Sequence, residues 1–294
     1  MSTVKLPLGT PDEIPEEKLV NEALESLVNG TLTSKDAAQK IDSVIITDLR
    51  SGKSNSHPLG WEHYLWDSIG RSAMVVPADH AGQDRLVHFL QDIQNLPKTT
   101  IPFAANGAEH EKIFWTLNAS NGYSGLSQWL WELKEGGFQR HERPSEDSSF
   151  LHQNFAAFLA RLLSNGVVEA TRLSDLIRPS AFATKNASNS NLEEYVIALR
   201  GAKRWILHAG DALYEMCQKQ TLIEIPGPKW TPTVWSGWKN KFEQAAKAEN
   251  LGAEGREIAA QALERMDQVE QRGVTTTICE TFGFTSIEQE EDDE

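Results

Sequence analysis

The spacing of the apolar residues constrains this chain more than any other feature: they recur every three or four positions almost throughout. That period places them on one face of an α-helix, whereas a half-buried strand alternates. After Pro15, residues Leu19, Val20, Ala23, Leu24, Leu27 and Val28 form one such face, and Gly30 follows as a left-handed stop. Thr33 and Asp36 supply a cap and a first-turn acid for the next stripe, Ala37, Ala38, Ile41, Val44, Ile45 and Leu49. The short link between the two predicts an antiparallel pair.

Further helices are predicted from about Pro58 to Ala73, from a cap at Asp79 to a stop before Pro97, from Leu126 to Leu133, and from Ser149 to Ser164. A short helical turn near Leu173 to Arg178 follows. The longest register starts at Leu192 and runs through Val196, Leu199, Ala202, Ile206, Ala209 and Leu213 to Cys217, the pattern of a central helix. Two more close the set, one entered through Thr231-Pro232 and one near Glu254 to Gln271. Between Lys98 and Asn121 the pattern is weaker, with Glu109 to Leu117 read as a short helix. Only Leu222–Ile225 and Thr275–Phe284 look β-like. No fixed-period repeat is present. The expected architecture is therefore all-α, an irregular multi-helix bundle or irregular superhelix. It forms one globular unit over residues 1–285, with a weak break near 136–148 and a disordered acidic tail at 286–294.

Charge narrows the partners. The chain carries 42 acids against 28 bases, net −14, and six of the last seven residues are acids, so the body without them is at −8. Such a surface repels phosphate backbones and anionic leaflets, which excludes nucleic acid and membrane surfaces as expected partners. No apolar run approaches the roughly 18 residues a membrane span requires. The first residues lack a signal-peptide pattern, and two cysteines, Cys217 and Cys279, make no disulfide framework. A cytoplasmic or nuclear setting is expected, in which the sequons at Asn29, Asn118 and Asn186 stay unmodified.

Motifs that carry chemistry are thin. His80, Asp84 and His88 share a helical strip, but the two histidines stand about 12 Å apart along the axis, too far for one metal ion. Gly122-Tyr-Ser124-Gly125 has its second glycine one residue early for a nucleophile elbow and follows no strand. Ala108-Glu-His110-Glu-Lys lacks the second histidine of a zinc-protease helix, and no phosphate-binding loop occurs. Cys217 falls on the buried stripe, where a thiol is inert. No metal, cofactor or catalytic residue is expected.

Nine tryptophans are the unusual feature, and most occupy in-register apolar positions that fill inter-helix space. Trp129 and Trp131 differ: two positions apart on a helix they point in different directions, so one is a candidate exposed anchor for a protein partner. A second candidate lies on the long helix, where His208, Asp211, Tyr214 and Glu215 fall within two turns. These four would line a pocket for a small hydrophobic or aromatic ligand if they converge; otherwise they are an ordinary polar face. The leading expectation is a non-catalytic protein-binding or scaffold protein, with a small-molecule carrier or accessory enzyme of fungal specialised metabolism as the alternative.

Three stretches together carry a resemblance. Asp79-His80 leads into Arg85-Leu-Val-His-Phe-Leu90 and Leu96-Pro97. Leu159-Ala-Arg-Leu-Leu163-Ser-Asn-Gly166 is the second, and Ala202-Lys-Arg-Trp205 through His208 to Glu215 the third, with Trp235 to Met266 behind it. In this order they resemble a filamentous-fungal family of unknown function, domain of unknown function 3632, over roughly Lys35 to Gln271. The resemblance implies a helical fungal protein and assigns no functional residue. The Lys98–Asn121 region and the acidic tail depart from it.

Overall fold

The computed structural model describes residues 3–9, 11–51, 53, 56–105, 108–118, 123, 125–137, 146–173, 178–183, 192–221 and 230–274. Helix α1 (Pro15–Asn29) starts on a proline whose missing N–H costs nothing there. The Glu17 carboxylate turns back to accept the Ile14 N–H at 3.2 Å, and Gly30 closes the helix at φ 74°. Helix α2 (Ser34–Arg50) is capped by Thr33, whose hydroxyl accepts the Asp36 N–H at 3.1 Å. Helix α3 (Pro58–Val75) is capped by a ring nitrogen of His57, which accepts the Leu59 N–H.

Helix α4 (Gly82–Gln94) begins three residues later than the expected Asp79 cap. Asp79 is engaged elsewhere, in an ion pair with Arg204 at 2.5 Å. The intervening residues form a turn in which His80 Nδ1 accepts the Gly82 N–H at 3.0 Å. That turn is latched from a distance by the polar face of α6 (Glu146–Ser164). Asn154 accepts the Ala78 N–H and donates to the Met74 carbonyl. Arg161 donates to the Ala78 carbonyl at 3.0 Å and pairs with Asp84 at 2.7 Å.

The segment after α4 corrects the sequence reading. Strands β1 (Thr99–Ala105) and β2 (Ala108–Phe114) form an antiparallel hairpin, so the helix expected from Glu109 to Leu117 is a strand over most of its length. Ile101 and Phe114 face the core while Thr100 and Ile113 face out, the two-residue alternation of a strand. The two β-like stretches named above lie outside the described residues.

Beyond the hairpin come α5 (Leu126–Gly137), then α6, the short α7 (Ala170–Leu173) and α8 (Arg178–Ala183), the 27-residue α9 (Leu192–Gln218), α10 (Pro232–Lys247), a 3₁₀ turn at Glu249–Leu251 and α11 (Gly252–Arg272). Helices α1, α2 and α4 pack together; α3 lies between α5 and α6; and α9 is the axis for α6, α8, α10 and α11. Its stripe Leu199, Trp205, Ile206 and Leu213 is fully buried, each side chain contributing about 1.5–3 kcal/mol. Buried apolar side chains from Leu6 to Val269 form one contiguous cluster. Among the described residues no helix is long and apolar enough to cross a membrane. The fold is all-α with one small hairpin.

Candidate functional site

The positions picked from the sequence do not assemble into a site. Seven of the nine tryptophans are buried, which leaves Trp129 half-buried and Trp131 39% exposed. At 100° per residue the two project about 160° apart. Trp129 stacks on His63 of α3 with ring centroids 5.4 Å apart, and Trp131 projects from another side of α5 into an exposed position.

The α9 set also disperses. Asp211 pairs with Arg265 and Arg272 of α11, and Tyr214 packs edge-on to Trp235 of α10 at 5.1 Å. Glu215 is buried and reaches Lys219, just past the end of its own helix, at 2.8 Å. His208 lies among Arg161, Arg204, Asp79 and Asp84 with its Nε2 unpaired. Burial, reinforced by the two arginines, pushes its pKa down to about 4. Asp84 is bound to Arg161 and His80 precedes the helix, so the His80–Asp84–His88 strip is dissolved. Among the described residues no group of histidine, cysteine and carboxylate side chains is placed to hold a metal. Gly122 and Ser124 lie outside the described residues. Burial pushes the Cys217 thiol up to about 12, the inert state expected of it.

A concave site exists elsewhere, where the start of α1, the end of α2 and the start of α3 meet. It is a cleft of about 330 Å³ lined by Ile14 to Glu17, Asp48, Lys53, Ser56, His57, Gly60, Trp61 and Tyr64. Its floor is Asp48, one turn from the end of α2 and buried at 4% exposure. Three donors converge on this carboxylate: Lys53 Nζ at 2.8 Å on Oδ1, and Ser56 Oγ at 2.6 Å and Trp61 Nε1 at 2.9 Å on Oδ2. Burial works to raise the Asp48 pKa, but these three hydrogen bonds together hold it below the usual carboxylate range.

Lys53 Nζ also reaches Glu16 Oε1 at 2.7 Å, so one ammonium bridges two carboxylates. Hydrogen bonds to Asp48 and then Glu16 raise the lysine pKa, and the bond from Lys53 lowers that of Glu16. The wall is aromatic. Trp61 and Tyr64 meet edge to face at 5.6 Å, and His57 packs edge-on to Phe103 of the hairpin at 5.1 Å. The arrangement is a pre-formed acidic recess with one ammonium already seated and two ring systems beside it.

Sequence reasoning did not bring these residues together, and Trp61 entered it only as one of the nine tryptophans. The available signal was Asp48 itself, an acid seven positions after Ile41 on an otherwise apolar face of α2. A charge at such a position requires partners when buried.

Residues 66–242 match the family described as "Protein of unknown function (DUF3632)". The chain belongs to this family. The match spans more than half of the chain, within the Lys35–Gln271 resemblance. No curated protein and no solved structure matches the chain. In this DUF3632 protein the matched segment opens at Trp66, two residues after the last lining residue of the cleft, Tyr64. The family segment thus contains the hairpin, α9 and the candidates read from the sequence, and the cleft stands on the N-terminal segment ahead of it.

Proposed function

We propose that this DUF3632 protein is a non-catalytic helical binding protein whose partner is another protein, and that the cleft receives one side chain of that partner. The observation that supports this is how the cleft's charges are held. Asp48 is kept ionised by three donors and Lys53 is kept protonated by two carboxylates. At neutral pH the recess presents fixed charge and shape, not a group poised to gain or lose a proton. About 330 Å³ accommodates one long side chain. The same volume sits at the low end of the roughly 300–1,000 Å³ of small-molecule sites. A small ligand held against Trp61 and Tyr64 is therefore the second reading. A fungal source and a cytoplasmic or nuclear setting belong to this proposal, and the net charge of −14 argues against nucleic acid or a membrane surface as partner.

The test is quantitative affinity capture from the producing cells with wild-type protein and Tyr64→Ser, alongside melting curves. The expected result is a stoichiometric protein retained by the wild type and lost from an equally stable variant. Equal retention by both, or no stoichiometric protein, overturns the reading. A small-molecule mass excess in native mass spectrometry selects the second one.

A further inference from the structure

We infer that the cleft is a socket for a primary alkylammonium group, the head of a lysine side chain, and that Lys53 is seated in it as the chain's own displaceable occupant. The inference rests on the binding reading above and names what the cleft takes. Four observations carry it.

First, the seated group is itself an ammonium, 2.7 Å from Glu16 Oε1 and 2.8 Å from Asp48 Oδ1, at the open mouth of a concave cleft whose floor is buried. Second, Lys53 enters from the link between α2 and α3 with its side chain 46% exposed, whereas Asp48 beneath it is 3% exposed. The receptor is built into the core and the occupant is not. An ion pair with so exposed a partner is weak, so exchange for another ammonium is easy.

Third, the free oxygens select the cation. Asp48 Oδ2 already accepts from Trp61 and Ser56, which leaves Oδ1 for the incoming group. A guanidinium binds best to both oxygens of one carboxylate, and a divalent metal needs several oxygens free of donors. An ammonium, with three independently directed donors, needs one oxygen from each of two carboxylates, as Asp48 and Glu16 provide. Fourth, Glu16, Glu17 and Asp48 against Lys53 leave the recess at −2, and the half-buried Tyr64, backed by Trp61, offers ring surface to an alkyl stem or a cation.

Lys53→Ala removes the seated ammonium and leaves Asp48, Glu16, Trp61 and Tyr64 in place. The probes are N-acetyl-lysine methylamide, N-acetyl-arginine methylamide and n-butylammonium. The readout is the Trp61 indole N–H resonance, identified by its loss in Trp61→Phe, because this N–H donates to Asp48. Removing an intramolecular competitor raises apparent affinity by the reciprocal of the free fraction, so with a pair this weak Lys53→Ala should bind the lysine probe about three- to sixfold more tightly than wild type. The arginine probe should bind more weakly than the lysine probe, and Asp48→Asn in the Lys53→Ala background should abolish the response.

A folded Lys53→Ala variant with no indole shift, or with equal response to lysine and arginine, overturns the inference. If it binds ammonium and a captured partner is released by acetylating that partner's lysines, the source is a protein side chain. If acetylation has no effect, the source is a free amine. The two readings fail separately. Loss of the capture difference with ammonium binding intact removes the protein-partner reading alone. A capture difference without ammonium binding removes this inference alone.

Discussion

Truncating Asp48 tests whether the cleft floor is an assembled unit. In Asp48→Ala three donors lose their acceptor, and they do not count equally. Ser56 can turn to water. Lys53 is 46% exposed and keeps Glu16, so water and the second carboxylate offset most of its loss. Trp61 is buried, and its indole N–H would be stranded without a partner, which costs about 1–3 kcal/mol. The stranded indole therefore sets the loss at about 1–3 kcal/mol, a fall in melting temperature of about 2–5 °C at this chain length. Asp48→Asn keeps an oxygen for Trp61 and Ser56 but turns its amide towards the Lys53 ammonium, so it should lose only about 1–2 kcal/mol.

Urea unfolding followed by far-UV circular dichroism measures both variants, and pH separates charge from shape. The folded Asp48 pKa lies below its unfolded value. Its contribution is therefore fully present above the unfolded value of about 3.9 and is lost as pH falls through the lower folded value. The gap between wild type and Asp48→Asn should close across that window. An Asn variant as stable as wild type at neutral pH, or a gap that persists into strong acid, would refute the account of the floor as a charged hydrogen-bond hub.

His208 should act in the opposite sense to a salt-bridged histidine. Its folded pKa of about 4 lies below the unfolded value of about 6.5, so stability falls as pH drops between the two. His208→Leu should flatten the melting temperature over that range, and a curve parallel to wild type would contradict the burial of a neutral imidazole. In a Cys279→Ser background, Cys217 should react with a thiol reagent only as fast as the chain unfolds, since it is fully buried with its pKa pushed up to about 12. Labelling of the native protein at the rate of a free thiol would count against the packing of α9. Gly82→Ala would place a Cβ 2.9 Å from Val28 Cγ1 and 3.0 Å from the Val28 carbonyl, where α1 and α4 approach closely. Despite the better helix former it should destabilise by about 1–3 kcal/mol in the same urea assay.

The helices were readable because each exposes one polar face, so periodicity alone locates Pro15–Asn29 or Leu192–Gln218. Their ends were readable where a cap is local, as at Thr33 and Gly30. They were missed where a tertiary partner competes for the capping side chain, as Arg204 does for Asp79. The hairpin was missed although Asn106-Gly107 between Thr99–Ala105 and Ala108–Phe114 is a strong two-residue turn signal, because Ile113 and Leu117 also fit a helical step. The cleft was not legible at all. It is made by residues from Ile14 to Tyr64 that touch only once α1, α2 and α3 have packed, and no local pattern announces that convergence. Nor could spacing show that Asp211 and Tyr214 would be claimed by different neighbours while His208 is buried among two arginines.

The latch of α6 over the turn between α3 and α4 has a consequence for the order of events when the chain folds. Its hydrogen bonds join residues 76 to 83 positions apart, from Asn154 to Ala78 and from Arg161 to Ala78, whereas α1 with α2 and α10 with α11 meet across short links. Local pairings close first because little chain entropy is spent on them, and distant ones wait until both sides exist. The latch is thus a late event on the way in and an early barrier on the way out. Its side chains govern how long the assembled protein persists before opening more than how quickly it first assembles.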